Sequence, residues 1–430
     1  MTAVPTRPAA VSLLVRVLDQ GQTLDEALAQ DELFESLTGA DRGLARAIVS
    51  ATLRHLGQIN YLVSQRVEGR GFGSLDPYVQ HLLQIGAAQI CILKTPVHAA
   101  VSETVDAARK FEGSRRAGGL VNAVLRKLKP DTLEQEKMPA VWAWPHWFQA
   151  LMKEQVGPEL SEQLALRMQE TPPLDITVRS GAADWAERLG GEALTRSTVR
   201  LSSGVVEQMP GYDDGDWWVQ DAAASLPVQL LAPKAGERIL DMCAAPGGKT
   251  MQIASAGAKT WALDRSAKRL KLVEQNLKRT KLTAECIAAD AAKWESIISF
   301  DGVLIDAPCS ALGTLRRHPE GPWVKRAVDI ERFPGIQLRL LESASGRIKP
   351  NGRLVYCVCT PPPREGVEVV QNFLAKKTDW QISPITPEEA GVFASGLTER
   401  GDLMTFPPIL AERGGCDAFY IARLEKVRDQ

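Results

Sequence analysis

The sequence has no long apolar run. Across its 430 residues no uninterrupted hydrophobic stretch approaches the ~18–20 residues that a membrane span needs, so none is expected. A secretory leader pattern is missing too. Arg7 and Arg16 bracket a stretch too short and too polar for an h-region. Cysteine is sparse: seven residues, an odd number, at no regular spacing, which excludes a disulfide scaffold. The five histidines are scattered and no Cys-x-x-Cys pair occurs, so no zinc site is expected. Net charge is also nearly absent, at −1, so any signal for nucleic acid must be local. What is present is ordinary for a globular protein: 44% hydrophobic and 24% charged residues exclude disorder as the main state. The expected setting is a reducing cytoplasm, without membrane or metal. At ~100–200 residues per domain, the length predicts two to four domains.

Residues 1–130 read as all-helical. Val11, Leu14, Val15 and Leu18 recur at helical spacing, as do Val79, Leu82, Leu83 and Ile90, and again Val121, Val124, Leu125 and Leu128. Each helix has one apolar stripe, which predicts a bundle. Between 101 and 130, seven Lys/Arg face three acids. A solvated helix face is the plain reading, and a phosphate-facing patch built on Arg115, Arg116, Arg126 and Lys127 is the sharper one. Pro130, Pro139 and Pro145 mark a linker over 131–147. Residues 148–232 suggest a small α+β subdomain, because Leu174, Ile176 and Val178 alternate like a half-buried strand. Trp217 and Trp218 are expected as core or domain-interface aromatics.

From 233 to 430 the texture is strand–loop–helix alternation, the pattern of a doubly wound, mostly parallel α/β sheet. Strand candidates end at Met242, Asp264, Asp290 and Asp306, and another covers Arg353–Val358. Ligands of such sheets bind beyond the carboxyl ends of the strands. The loop Cys243-Ala244-Ala245-Pro246-Gly247-Gly248-Lys249 follows the first strand and opens a helix. It fails the nucleoside-triphosphate pattern, since the first required glycine falls at Cys243. It also fails the dinucleotide pattern, because Ala244 and Pro246 break it. S-adenosyl-L-methionine fits better. It has no pyrophosphate, its carboxylate suits free amides at a helix start, its ribose diol suits Asp264, and its adenine amine suits Asp290.

Two cysteines lie at the same expected edge: Cys309 after Asp306, and Cys359 after the next strand. C5 of cytosine is a poor nucleophile until a thiolate adds to C6 and turns the ring into an enamine. A carboxyl group must steady the N3 or amine edge, and a base must remove the C5 proton before the thiol leaves. A sulfonium cofactor, two cysteines and a carboxylate meet those needs. Cys357 shares the sheet face of Cys359, and sequence does not separate core from site there. Position alone leaves open which of Cys309 and Cys359 is the nucleophile.

Asp-Met-Cys-Ala-Ala-Pro-Gly-Gly-Lys-Thr (241–250), Asp-Ala-Pro-Cys-Ser-Ala-Leu-Gly-Thr-Leu-Arg-Arg-His-Pro-Glu (306–320) and Leu-Val-Tyr-Cys-Val-Cys-Thr (354–360) together resemble the Sun (Fmu) family of ribosomal RNA cytosine-C5 methyltransferases. Gln220-Asp221 resembles that family's entry motif. Residues 1–130, with Asp41-Arg42-Gly43-Leu44 leading to Leu53-Arg54, resemble its NusB-like RNA-binding domain. The resemblance implies a Rossmann-like catalytic domain at 233–430 that uses S-adenosyl-L-methionine on a single-stranded or loop cytosine of 16S rRNA, in a chain expected to act as a monomer. It makes Cys359 the C6 nucleophile and gives Cys309 proton removal and release. Asp306 would hold the cytosine edge with Lys249 nearby. Cys243 to Lys249 would take the methionyl part of the cofactor, with Asp264, Asp290 and Asp306 completing that site. The family's Thr-Cys-Ser is Val358-Cys359-Thr360 here, and its Pro-Glu-Glu-Asn is Pro363-Arg364-Glu365-Gly366. Arg316 and Arg317, on the loop after Asp306, are expected to contact RNA. Methylation of another structured RNA such as tRNA, or a non-catalytic RNA-binding assembly factor, are the alternatives.

Overall fold

The computed structural model describes residues 6–69 and 71–427. The chain divides into two compact units. The described residues up to Glu170, with Leu315–Ala327, form the first. Thr171–Thr314 and Val328 onward form the second.

The first unit is helical. Its central helix, Pro77–Cys91, starts on Asp76, whose side chain accepts from the Tyr78 amide, with proline at the first helical position. Val79, Leu82, Leu83, Ile85, Ala88 and Ile90 bury nearly every face of it, as befits the middle of a bundle. Its polar residues find partners inside: His81 bonds Asp19 (3.0 Å) and Gln84 (2.7 Å), and Gln84 donates to Asn60 (2.8 Å). Helices Thr6–Leu14, Gly39–Arg54, Leu56–Ser64, Val97–Ala108 and Gly118–Leu125 close a single core around it.

Residues 131–170 belong to the same unit. Helix Thr132–Gln135 and the turn Ala140–Ala143 occupy the proline-rich stretch, followed by helices His146–Val156 and Pro158–Met168. The Glu162 carboxylate accepts from the amides of Ala140 (2.5 Å) and Val141 (3.1 Å), and Gln58 donates to the Pro139 carbonyl (3.1 Å). The inserted segment Leu315–Ala327 is tied in by three bonds: Leu24 N–H to Glu320 (3.1 Å), Arg54 to the Arg316 carbonyl (2.8 Å) and the Trp147 ring N–H to the Pro322 carbonyl (3.1 Å).

The second unit holds two sheets. The smaller is antiparallel and contains β1 (Leu174–Val178), β2 (Glu192–Ala193), β3 (Thr198–Leu201) and β4 (Trp217–Val219), in the order β2-β3-β1-β4. Trp217 and Trp218 are buried. The larger is built from β5 (Arg238–Met242), β6 (Lys259–Asp264), β7 (Glu285–Ala288), β8 (Phe300–Asp306), β9 (Ile348–Val358), β10 (Trp380–Ile382), β11 (Leu403–Thr405) and β12 (Phe419–Lys426). Its order is β10-β12-β9-β8-β5-β6-β7, with β11 also paired to β12. β5 to β9 run parallel, and the expected doubly wound sheet is present. β12 enters antiparallel beside β9. Leu240, Met242, Val303, Ile305, Leu354 and Tyr356 face one core layer, while Ile239, Leu304, Val355 and Cys357 face the other. Chain order reverses between β5 and its neighbours β6 and β8, which opens a crevice at their carboxyl ends.

Gly57 marks how closely the turn Ala140–Ala143 approaches helix Leu56–Ser64. A Cβ there would stand 2.1 Å from the Trp142 carbonyl oxygen. Gly57→Ala is expected to destabilise the chain by about 1–3 kcal/mol, through overpacking against backbone. Equilibrium urea unfolding checks this, and unchanged or raised stability would contradict the packing described.

Candidate active site

The crevice begins where β5 ends. Cys243 turns the chain in a left-handed conformation (φ 65°), and Ala244 N–H donates to the Leu263 carbonyl at 3.0 Å. Gly247 has φ 106°, and a Cβ on it would meet Val273 Cα at 3.2 Å, so only glycine is comfortable there. Helix Gly248–Ser255 starts at once. Thr250, in its first turn, donates to Asp241 Oδ2 (2.6 Å). Asp241 is fully buried, and burial pushes its carboxyl up to about 7 despite the Thr250 bond.

Beside this loop lies a cleft of about 430 Å³. Its lining includes Cys243, Asp264 and Asp290, the apolar Pro308, Phe333, Ile336 and Leu340, and Arg265, Arg269 and Arg332. Asp264 ends β6 and is held by the amides of Ala245 (3.2 Å) and Ser266 (2.9 Å). Asp290 lies two residues beyond β7 and accepts from Ala292 N–H (3.0 Å). Both acids thus fix loops, as turn residues do, and both still line the cleft. Apolar side chains together with two carboxylates fit a nucleoside, whose hydroxyls and exocyclic amine the acids can accept from. S-adenosyl-L-methionine fits these residues.

The adjacent strand ends carry the reactive groups. Asp306 closes β8, opposite Cys357 on β9. Lys249 Nζ bonds Asp306 Oδ2 at 2.8 Å and lies 5.3 Å from the Phe419 ring centroid. Burial works against the Lys249 charge, but Asp306 and nearby sulfurs outweigh it, so its pKa rises and the ammonium persists. Beyond the strands, Cys309 Sγ and Cys359 Sγ stand 3.4 Å apart, both half-buried. The hydrogen bond to Cys359, reinforced by burial, drives the Cys309 thiol well above its usual range.

Cys357 is resolved as a core residue, 0% exposed, with its thiol 3.5 Å from Asp306 Oδ1. Val358 packs in the opposite core layer from Cys357, the layer against which Cys309 also packs. Thr360 keeps a hydroxyl, 2.7 Å from that of Ser310. Cys359, Cys309, Asp306 and Lys249 therefore share one edge, while Cys243, Asp264 and Asp290 line the cleft and Ala244 to Gly248 do not. Arg115, Arg116, Arg126 and Lys127 are exposed in the helical unit, with Lys127 paired to Glu68 (3.1 Å) and Arg126 bonded to Asn122 (3.0 Å). Arg316 departs from expectation. It is 1% exposed, so it offers no open guanidinium to an RNA phosphate, while Arg317 is half-buried. A doublet of arginines signals a charged loop, but the turn at Leu315 carries the first of them inward. Sequence reading also passed over Glu365, Ser310 and Gln337. Glu365 was visible only as the single acid of Pro-Arg-Glu-Gly, with no spacing to link it to Ser310, 55 residues earlier.

Comparisons with known proteins agree with this geometry. A family model described as "16S rRNA methyltransferase RsmB/F" matches residues 228–425, and one described as "NusB family" matches residues 4–130. "Ribosomal RNA small subunit methyltransferase B" of Vibrio cholerae serotype O1 is 34% identical over 98% of this chain and 97% of its own. Among solved structures, "Crystal Structure of PH0851" aligns with a TM-score of 0.76 at 22% identity, covering 97% of this chain and 99% of that one. NSun6 from Pyrococcus horikoshii, solved with SFG, aligns with a TM-score of 0.58 at 18% identity, covering 66% and 99%. These two structural likenesses speak for the fold.

The buried carboxyl of Asp241 gives a signed pH dependence. Its folded pKa of about 7 lies above the unfolded value, so the folded state holds a proton that the unfolded state releases between these limits. The group therefore costs no stability below about pH 4 and an increasing amount as pH rises to about 7. Asp241→Asn removes that cost. Its Tm relative to the parent chain, measured without cofactor, should climb from pH 4 to 7 and then level off. A flat difference would contradict the assignment.

Proposed function

Because this chain belongs to the RsmB/F family of 16S rRNA methyltransferases, we propose that it methylates C5 of a cytosine in small-subunit ribosomal RNA through a transient bond from Cys359 to C6. It is an S-adenosyl-L-methionine-dependent RNA methyltransferase. The target is a nucleotide drawn out of its stack, since C6 is inaccessible to a thiol within a helix. An rRNA substrate accords with a cytoplasmic location, and no helix among the described residues is long and apolar enough to cross a membrane. We assign RNA binding to residues 1–130, as the NusB match supports, and catalysis to 233–430. Of residues 148–232, the helices up to Met168 belong to the first unit and the small antiparallel sheet to the second.

The observation that carries the mechanism is the sulfur pair. The two sulfurs stand 3.4 Å apart at the ends of neighbouring strands, and the raised Cys309 thiol suits the later proton transfer, with Cys359 as the nucleophile. Cys359 forms the S–C6 bond, and the π electrons move toward C5 and N3. Asp306, fixed by Lys249 and the Cys357 thiol, steadies the N3 and amine edge of the ring. When bound, S-adenosyl-L-methionine would supply an electrophilic methyl group for C5; the loop from Cys243 to Lys249 would hold its methionyl part, Asp264 its ribose and Asp290 its adenine. Once Cys359 is bonded to carbon it is a poor hydrogen-bond acceptor and carries no charge. The main cause of the raised Cys309 pKa is then gone. Cys309 releases its proton to solvent and takes the proton from C5. The C5–H electrons restore the C5–C6 double bond and expel the Cys359 thiolate. The net change is a methyl cation gained and one proton lost by the base.

Bisulfite sequencing of 16S rRNA from cells with and without the chain should show one cytosine whose protection depends on it. With the purified protein, Cys359→Ser should abolish methyl transfer. Cys309→Ser should leave a covalent protein–RNA adduct on a denaturing gel. The reverse pattern would exchange the two roles, and no chain-dependent cytosine would overturn the function.

A further inference from the structure

One buried carboxylate joins the two cysteine loops, and neither the mechanism nor the sequence motifs use it. Glu365 is 0% exposed. Its Oε2 accepts from the Ser310 amide (2.8 Å) and from the Gln337 side-chain amide (3.2 Å), and its Oε1 accepts from the Ser310 hydroxyl (2.5 Å). Since Ser310 spends its hydroxyl proton on Glu365, the bond between Ser310 and Thr360 (2.7 Å) must be donated by Thr360. Ser310 follows Cys309 and Thr360 follows Cys359. Gln337 donates in turn to the Pro308 carbonyl (3.0 Å), on the other side of Cys309. The Glu365 carbonyl accepts from the Tyr356 hydroxyl (2.6 Å), on β9 three residues before Cys359.

We propose that Glu365 is a positioning residue that sets the approach of Cys309 to Cys359, by fixing the residues on both sides of Cys309 and tying them to the residue after Cys359. The inference rests on the cysteine roles given above. The site presents Glu365 with three donors in close quarters. A carboxylate offers acceptors only, so it satisfies all of them, whereas an amide would turn a donor toward one. Cys359 has further support, because it follows β9 directly and its carbonyl accepts from Gly313 N–H (2.9 Å). Cys309 lies three residues past its strand and depends more on the carboxylate. Loosening the tether should therefore impair what Cys309 does, namely proton removal and release, more than what Cys359 does. The missing step leaves its mark as an adduct that outlives methyl transfer.

The test uses the full chain, a 16S rRNA fragment and labelled cofactor, with Cys309→Ser run beside the new variants. Displacing a reacting group by about 1 Å costs roughly 100-fold, so Glu365→Ala should lose turnover on that scale and accumulate covalent adduct. Glu365→Gln loses one acceptor, and Ser310→Ala loses the hydroxyl bonds to Glu365 and Thr360 but keeps the amide bond, so each should fall by about tenfold with a smaller share of adduct. Cofactor affinity should stay unchanged, which separates a displaced sulfur from a collapsed site. If Glu365→Ala does not fold, the two milder variants carry the test. Unchanged turnover, or slowed turnover without adduct while Cys309→Ser still traps one, would overturn the role of Glu365. Failure of Cys309→Ser to trap any adduct would instead overturn the cysteine assignment on which it rests.

Discussion

The structure depends on two parallel strands ending side by side. β8 and β9 are neighbours in the sheet, and parallel neighbours stand only ~4.8 Å apart. Residues just past their ends can therefore touch, although 50 positions separate Cys309 from Cys359. At 3.4 Å the two sulfurs cannot both be anions at low cost. One must keep a proton, and the environment decides which. The hydrogen bond to Cys359, with burial, raises the Cys309 thiol, and that cause would end if Cys359 became a thioether. The proposed order, addition by Cys359 and then elimination assisted by Cys309, rests on that single contact.

The charges around the pair are arranged to the same end. Asp306 ends β8 and receives both the Lys249 ammonium and the Cys357 thiol, which fixes the direction of its carboxylate. Lys249 opens the helix that follows the glycine loop, so the element that cradles the cofactor also orients the group facing the base. Asp241, buried beneath Thr250, is the costly part of this arrangement. A carboxyl far from water is tolerated where the first strand must end in an acceptor beside the loop.

Much of this was legible in the chain. The short apolar strands, each closing near an acid, announced the parallel sheet and its ligand edge. The loop after β5 excluded phosphate-rich cofactors by the residues that stand where glycines would be required. The two cysteines followed from strand-end logic, although only the structure separates them from Cys357, whose alternation along β9 is the same. Other features were hidden for physical reasons. β12 carries Arg423, Glu425 and Lys426 among its apolar residues and reads as surface, yet its pairing with β9 and β10 is made by backbone. Glu365 reaches Ser310 through the fold, across a separation no local pattern encodes. Arg316 looked exposed because arginine usually is, and burial is a property of the packed loop rather than of the residue.

The most direct measurement is the mass of the peptide that bonds to the base. An RNA substrate bearing 5-fluorocytidine allows addition and methyl transfer but offers no C5 proton to remove, so the adduct persists. Digestion of the trapped complex and mass spectrometry should find the nucleotide on the peptide containing Cys359, with Cys309 unmodified. Nucleotide on Cys309, or no covalent product in the presence of cofactor, would contradict the account.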